Sequence, residues 1–282
     1  MKTLQKPTLI ILMASLLSAC VSLKHVHDFS SASLTGVQGF NELGYSFESH
    51  CKANCRAASI RNLNILDEDC DCTSDQMADS VTLKIYNVVQ GYFDGLTKLS
   101  DKTLTNYKTD DLQQALIEGD FGSITVGQKE VTSYSKISGV LLRVFTDTYR
   151  KNKLKGYVKE ANTPVLQLLA FLKLNISSNL QGKLNVRRQR ARSYHFDLVN
   201  DSTLSNYEKA RVVKAYHNEL HDIDQKQVKL LVYGKTLDTI TEGHQQLFNQ
   251  IDHLNEAAAK QVLYQYASEL GTMITELKKV NE

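Results

Sequence analysis

The stretch that decides the fold is residues 213–251, VKAYHNELHDIDQKQVKLLVYGKTLDTITEGHQQLFNQI. Counted alternately by three and by four residues from Val213, it places apolar or aromatic side chains at eight of twelve positions. A repeat of about 3.5 residues keeps one face of a helix against a neighbour over many turns. The pattern therefore predicts one long helix with a coiled-coil-like seam. The seam is interrupted by Gln227, Gly234, Thr241 and His244.

The same helical signal continues on both sides of this stretch. Residues 259–280 repeat it without interruption, and earlier stripes of helical period begin at Phe40, Met77, Val131 and Val165. We expect one helix to run from about Gln128 to Ala161 and another to begin at Pro164, because Thr163-Pro164 has the form of an N-cap followed by proline. No segment alternates in the manner of a strand. We predict an all-α fold: an elongated antiparallel bundle of five to six long helices over residues 34–282.

The first residues belong to a different kind of segment. Lys2 and Lys6 stand without any acid nearby, and residues 9–17 are almost entirely apolar. This is the charged region and the short apolar region of a secretory signal. A membrane-spanning helix needs roughly 20 predominantly apolar residues, about twice the length of this run. We therefore expect a signal and not a permanent membrane span.

The signal ends in Leu17-Ser18-Ala19-Cys20, a branched apolar residue, two small residues and a cysteine. This resembles the lipobox of bacterial lipoproteins. The resemblance implies removal of a signal peptide, residues 1–19, and lipidation of Cys20 with fatty acyl chains such as palmitate. In the sorting rule that accompanies the resemblance, Val21 in place of an aspartate implies the outer membrane. The alternative is an ordinary signal peptide with a chance cysteine.

Residues 20–33 are mostly polar and show no apolar periodicity. We therefore expect a flexible, lipidated tether that lifts the helical body away from the bilayer. In this interpretation the folded domain begins at residue 34.

Composition excludes a general affinity for nucleic acid. Removing residues 1–19 takes Lys2 and Lys6 from the 33 basic residues and leaves 31 basic against 31 acidic residues. A chain without net charge has no global field that attracts a polyanion.

Four further cysteines lie between residues 51 and 72. Clustered cysteines in even number in an exported protein predict disulfides. Of the three pairings, we favour Cys51 with Cys72 and Cys55 with Cys70, because an antiparallel hairpin over residues 51–72 brings these pairs together in turn. The alternative is a four-cysteine zinc site, whose usual spacing this sequence lacks.

Two clusters are weak candidates for binding chemistry. His217 and His221 are four residues apart and face the same side of a helix, as two ligands of one metal would. We favour the alternative, a polar helix face whose buried side is formed by Tyr216 and Leu220. The second cluster is a basic run that faces either solvent or an anionic partner: Arg187, Arg188, Arg190 and Arg192. We predict no catalytic residue, no cofactor and no metal.

These observations favour a non-enzymatic interaction or adaptor module, anchored by lipid, for another component of the bacterial envelope. A small-molecule or lipid-binding protein with a cavity between helices is the alternative, and a metal-dependent hydrolase using His217 and His221 is a third. A further hypothesis is that the interruptions of the seam, Gln227 and His244 among them, mark where a partner or ligand enters the bundle.

Overall fold

A computed structural model describes residues 23–65, 70–101, 127–146 and 150–280. Within these ranges the chain is helical and contains no strand, so the predicted all-α class is confirmed. We number the α-helices in chain order: α1 Lys24–Gln38, α2 Phe47–Arg61, α3 Thr73–Ser100, α4 Gln128–Thr146, α5 Arg150–Lys173, α6 Leu180–Asn200, α7 Asn206–Asn249 and α8 Ala257–Lys279. A short 3₁₀ turn, Gly39–Glu42, follows α1.

The helices pack as a bundle around one continuous apolar core. Helix α7 runs antiparallel to the α5–α6 rod, because Lys159 pairs with Asp252 near one end and Gln181 donates to the Gln227 carbonyl further along. Helix α3 runs antiparallel to α1, since Phe29 lies edge-on to Phe93 while Phe40 stacks on Tyr86.

Helices α5 and α6 are joined by a π-helical segment, Leu174–Asn179, and form one rod from Arg150 to Asn200. At 1.5 Å per residue this rod is about 75 Å long. Gly234 of α7 crosses it so closely that a Cβ there would lie 2.2 Å from Ser177 Oγ. A side chain at this seam position would hold the two helices apart. The interruption at Gly234 is therefore a requirement of packing.

The prediction of one helix from Gln128 to Ala161 and a new helix at Pro164 is wrong. Helix α4 ends at Thr146, and α5 begins at Arg150 and passes through Pro164 without ending. Helix α5 folds back on α4, where Ser133 Oγ donates to Gln167 Oε1. Proline inside a helix removes a hydrogen bond and costs about 3 kcal/mol. Here its neighbours Ala161 and Val165 are fully buried, and their packing outweighs that cost.

The prediction of a flexible tether over residues 20–33 is also wrong where the structure describes it. Leu23 is buried, and α1 begins at Lys24. Val26, Phe29 and Val37 are fully buried where α1 packs against α3, α7 and α8. The buried face also carries Ser30 and Ser33, whose small side chains allow close helix packing. The domain therefore includes residues 23–33, and these polar residues belong to its core.

The predicted seam of α7 is buried over only part of its length. Ile223, Leu230, Leu237 and Ile251 are buried, whereas Val213 is 41% exposed. The first part of α7 and the second part of α6 form a two-helix hairpin that extends beyond the main bundle. Few neighbours cover it, so its apolar seam positions remain accessible.

Candidate functional site

Helix α2 is fixed against the rest of the chain by its ends. Ser46 caps its N-terminus, and the Asp79 carboxylate of α3 accepts hydrogen bonds of 2.9 Å from the backbone nitrogens of Phe47 and Glu48. Two disulfides secure the following turn. They join Cys51 to Cys72 and Cys55 to Cys70, with Cα–Cα distances of 5.9 and 6.2 Å, so the predicted nested pairing is confirmed.

A groove of about 650 Å³ opens between α2 and the hairpin of α6 and α7. Its surface combines small apolar side chains with charged ones, and cations outnumber acids. The apolar and aromatic lining consists of Ala53, Ala57, Ile60, Ala191, Tyr194 and Ala215. The charged lining consists of Lys52, Arg56, Arg61, Arg187, Arg190 and Lys226, with Glu219 and Asp222.

The cations of the hairpin wall are partly neutralised within the groove. Arg187 donates from Nε to Glu219 at 3.0 Å and from Nη1 to Asp222 at 3.2 Å. Lys226 Nζ lies 2.7 Å from Asp222 Oδ1. Two acids thus balance two cations and hold α6 and α7 in register.

Three other cations have no such partner. Arg56 and Arg61 on α2 and Arg190 on α6 are exposed, and none forms an ion pair with a residue that the structure describes. They lie on both sides of the groove. An exposed guanidinium keeps its five donors available for a carboxylate or phosphate. Among the described residues that line it, the groove therefore carries more positive than negative charge beside its apolar side chains.

A buried histidine lies beneath the α2 wall. His50 Nδ1 is 2.6 Å from Tyr45 Oη, and Asn54 Nδ2 donates to His50 Nε2 at 2.7 Å. Burial, reinforced by nearby cations that include Lys183 and Arg187, lowers the pKa of His50 to about 4. This ring is neutral near pH 7, so it adds no charge to the groove and acts by orienting Asn54, which lines it.

The basic run predicted from the sequence divides between different surroundings. Arg187 and Arg190 line the groove. Arg188 instead contacts Asp224 and Gln227 of α7, and Arg192 is exposed and does not line the groove. The sequence reasoning missed the contribution of α2, whose cations become neighbours of the run only in the folded chain.

The structure places His217 and His221 on an exposed face of α7. Gln225 Nε2 lies 3.0 Å from His221 Nε2, and the His217 ring lies 5.8 Å from that of Tyr216. Neither histidine joins a cluster of three metal-binding side chains within the described ranges. The one such cluster there is Cys51, Cys55 and Cys72, whose sulfurs belong to the disulfides.

His244, another interruption of the seam, is fully buried between α3 and α5. Its Nε2 accepts from Tyr92 Oη at 2.7 Å, and its Nδ1 donates to Asn162 Oδ1 at 3.1 Å. Asn162 in turn donates to Gln245 Oε1. Burial lowers the pKa of His244 to about 3, so the ring is neutral. The chain itself fills this position, and the hypothesis that a partner enters the bundle at His244 is wrong.

The fold and the groove together describe a helical protein with an open groove lined by cationic and apolar side chains. No protein-family model matches the chain, and comparisons with curated proteins and with solved structures give no match. Among the helices that the structure describes, none is both long enough and apolar enough to cross a membrane.

Proposed function

We propose that this protein is a lipid-anchored component of the bacterial envelope that acts as a non-enzymatic interaction module for another envelope component. The anchor rests on Leu17-Ser18-Ala19-Cys20, which lies outside the described residues. Val21 favours the outer membrane as its location. One fatty acyl chain gives marginal membrane binding, whereas two or three give a stable anchor.

The observation that carries the interaction role is the groove between α2 and the hairpin. It is open to solvent, is lined by apolar as well as charged side chains, and carries Arg56, Arg61 and Arg190 without an ion-pair partner in the described chain. Exposed apolar surface that is bordered by polar groups is typical of a site that binds another molecule.

The position of the groove supports the same function. Only Val21 and Ser22 separate Cys20 from the buried Leu23, so a lipid on Cys20 holds this end of the bundle at the bilayer. The chain near Ile251 belongs to the same end, because the His25 ring packs against Tyr264 near the start of α8. Lys226, which lines the groove, lies on α7 about 40 Å from Ile251 at 1.5 Å per residue. The groove therefore lies well away from the end of the bundle that carries the proposed anchor.

A second candidate function is binding of a small molecule or lipid, and the size of the groove favours it. Ligand pockets of small molecules usually measure about 300–1,000 Å³, and this groove falls within that range. Native mass spectrometry of the purified protein decides the matter. A retained ligand of a few hundred daltons assigns this second function.

The experiment that tests the main proposal is cross-linking in the producing cells, followed by capture of the wild type and of the Cys20→Ala variant. We expect the wild type to carry a fatty acyl mass on its N-terminus, to fractionate with the outer membrane and to capture one envelope protein. The Cys20→Ala variant should lose the acyl mass and most of the capture. An unmodified wild-type N-terminus contradicts the anchor, and equal capture by both forms contradicts the need for it.

A further inference from the structure

The end of α2 and the residues after it display apolar side chains. Ile60, which lines the groove, and Leu63 and Ile65, which follow the helix, are 54%, 87% and 97% exposed. Leu63 also has a φ of 52°, in the left-handed region that residues other than glycine rarely adopt. The backbone amides of Leu63 and Asn64 donate to the carbonyls of Ile60 and Ser59, so this conformation is the C-terminal cap of α2. It leaves the Leu63 side chain in water.

Three cations without an ion-pair partner in the described chain lie near these apolar side chains. Arg56 and Arg61 belong to the last turns of α2, and Arg190 lines the groove from α6. The binding surface, defined here as the groove together with Ile60, Leu63 and Ile65, therefore combines apolar and positively charged side chains. A complementary ligand has an apolar face and negative charges beside it.

We propose that the binding surface takes an acidic amphipathic helical segment of a partner protein. The walls of the groove are themselves helices, so an incoming helix packs between them by its apolar face, as in other helix-in-groove complexes. Its carboxylates then meet guanidinium groups, which bind them in bidentate geometry. This proposal deepens the interaction role proposed above and rests on it, but does not depend on the lipid.

Other anionic ligands fit the surface less well. The groove lies about 40 Å along α7 from the end of the bundle that carries the proposed lipid anchor. A nucleic acid presents a continuous row of phosphates, whereas Glu219 and Asp222 lie in the wall and the chain without its predicted signal has no net charge. Separate carboxylates spaced along a helix can meet the three cations that lack an ion-pair partner in the described chain and avoid these acids.

The first arm of the test identifies the occupant in the full-length lipoprotein, in the cells that produce it. The photo-cross-linking amino acid benzoylphenylalanine replaces Ala57 at the groove or, as the matched control, Tyr264 at the opposite end of the bundle. We expect position 57, and not position 264, to cross-link to one protein segment, and we expect tandem mass spectrometry to give it an acidic, amphipathic sequence. A neutral or basic segment, a lipid, a second copy of this protein, the chain's own residues 66–69, or no cross-link overturns the proposal.

The second arm measures affinity with a synthetic peptide that copies the cross-linked segment. The double variant Arg56→Glu with Arg190→Glu should weaken binding by about tenfold, because border charges mainly add electrostatic attraction. Arg192→Glu, an exposed change outside the groove, should bind as the wild type does. Changing the peptide's glutamates to glutamine should weaken binding to a similar degree. Equal affinity for all these combinations overturns the proposal, and circular dichroism verifies that each variant is folded.

The two proposals fail in different ways. Cross-linking at position 57 that persists in the Cys20→Ala variant refutes the anchored adaptor and leaves the acidic-segment site intact. An acylated protein that captures its partner equally well after Arg56→Glu with Arg190→Glu leaves the adaptor intact and refutes the site.

Discussion

Replacing Phe29 by alanine tests whether α1 is a packed helix of the core or a flexible tether. The ring is fully buried, lies edge-on to Phe93, and covers Gly243, where a Cβ would lie 2.4 Å from a Phe29 ring atom. Removing a buried phenylalanine usually costs about 3–5 kcal/mol, because transfer energy is lost and a cavity remains. The same substitution in a flexible tether would change the free energy of unfolding by less than about 0.5 kcal/mol.

The assay is urea unfolding followed by far-ultraviolet circular dichroism, with Thr35→Ala as the matched control on the exposed face of α1. We expect the free energy of unfolding to fall by about 4 kcal/mol for Phe29→Ala and by less than about 0.5 kcal/mol for the control. In a domain of this size such a loss lowers the Tm by about 10 °C. If both variants unfold at the wild-type midpoint, α1 is not docked, and the argument for an anchor close to the body is refuted.

Three further predictions concern the interior and the disulfides. Lowering the pH from 7 to 5 should reduce the free energy of unfolding by about 4 kcal/mol, roughly half from each of two histidines, because both bind a proton in the unfolded chain with the ordinary pKa of 6.5 while His244, with a pKa of about 3, and His50, with a pKa of about 4, stay neutral in the fold. This loss begins as the pH falls through 6.5, grows towards pH 4, and is measured by urea midpoints. Gly234→Ala should destabilise the protein by about 1–3 kcal/mol, because the added methyl group overpacks the crossing of α7 with Ser177. The control Gly182→Ala, which has open space around it, should stabilise the protein by up to about 1 kcal/mol. A gain in Tm for both variants would contradict the close crossing. The double variant Cys51→Ala with Cys72→Ala should lose about 2 kcal/mol, because the intact Cys55–Cys70 bond already shortens the loop that the outer disulfide closes, and an unchanged thermal midpoint would contradict this.

Long apolar repeats and cysteine spacing were sufficient to predict much of the architecture. The seam residues Leu230 and Leu237 are buried because a regular repeat leaves a helix only one face to pack. The nested disulfide pairing was predicted from an antiparallel hairpin. Cys51 and Cys55 lie on one face of α2, so each can meet a cysteine of the returning chain. Both predictions depend on the spacing of residues along a helix, which can be read from the sequence alone.

The first helix was missed because its buried face is not apolar throughout. Val26, Phe29, Ser33 and Val37 recur at helical spacing, but the serine and the adjoining Ser30 made the segment look polar. Ser30 satisfies its hydroxyl by donating to the Val26 carbonyl of the preceding turn, so burying it carries little cost. Counting small residues as core-compatible would have recovered this helix.

The groove could not be predicted because its two walls are distant in the sequence. Arg187 and Arg190 drew attention as part of a basic run, but nothing local indicates that Arg56 faces them. That proximity results from the way α2 is held by Asp79 and by the disulfides. Pro164 illustrates the same limit, since tertiary packing overrides a local signal for a helix boundary.

The contact between α1 and α8 joins the beginning of the folded chain to its end. His25 meets Tyr264, and Gly39 lies directly beneath Leu277. Contacts of such long sequence separation form only when the last residues have been made, and they slow folding because a large loop must be closed. A chain whose first helix packs on its last cannot complete this part of the core before its synthesis ends. That delay suits the proposed export, in which the polypeptide has to cross a membrane before it folds.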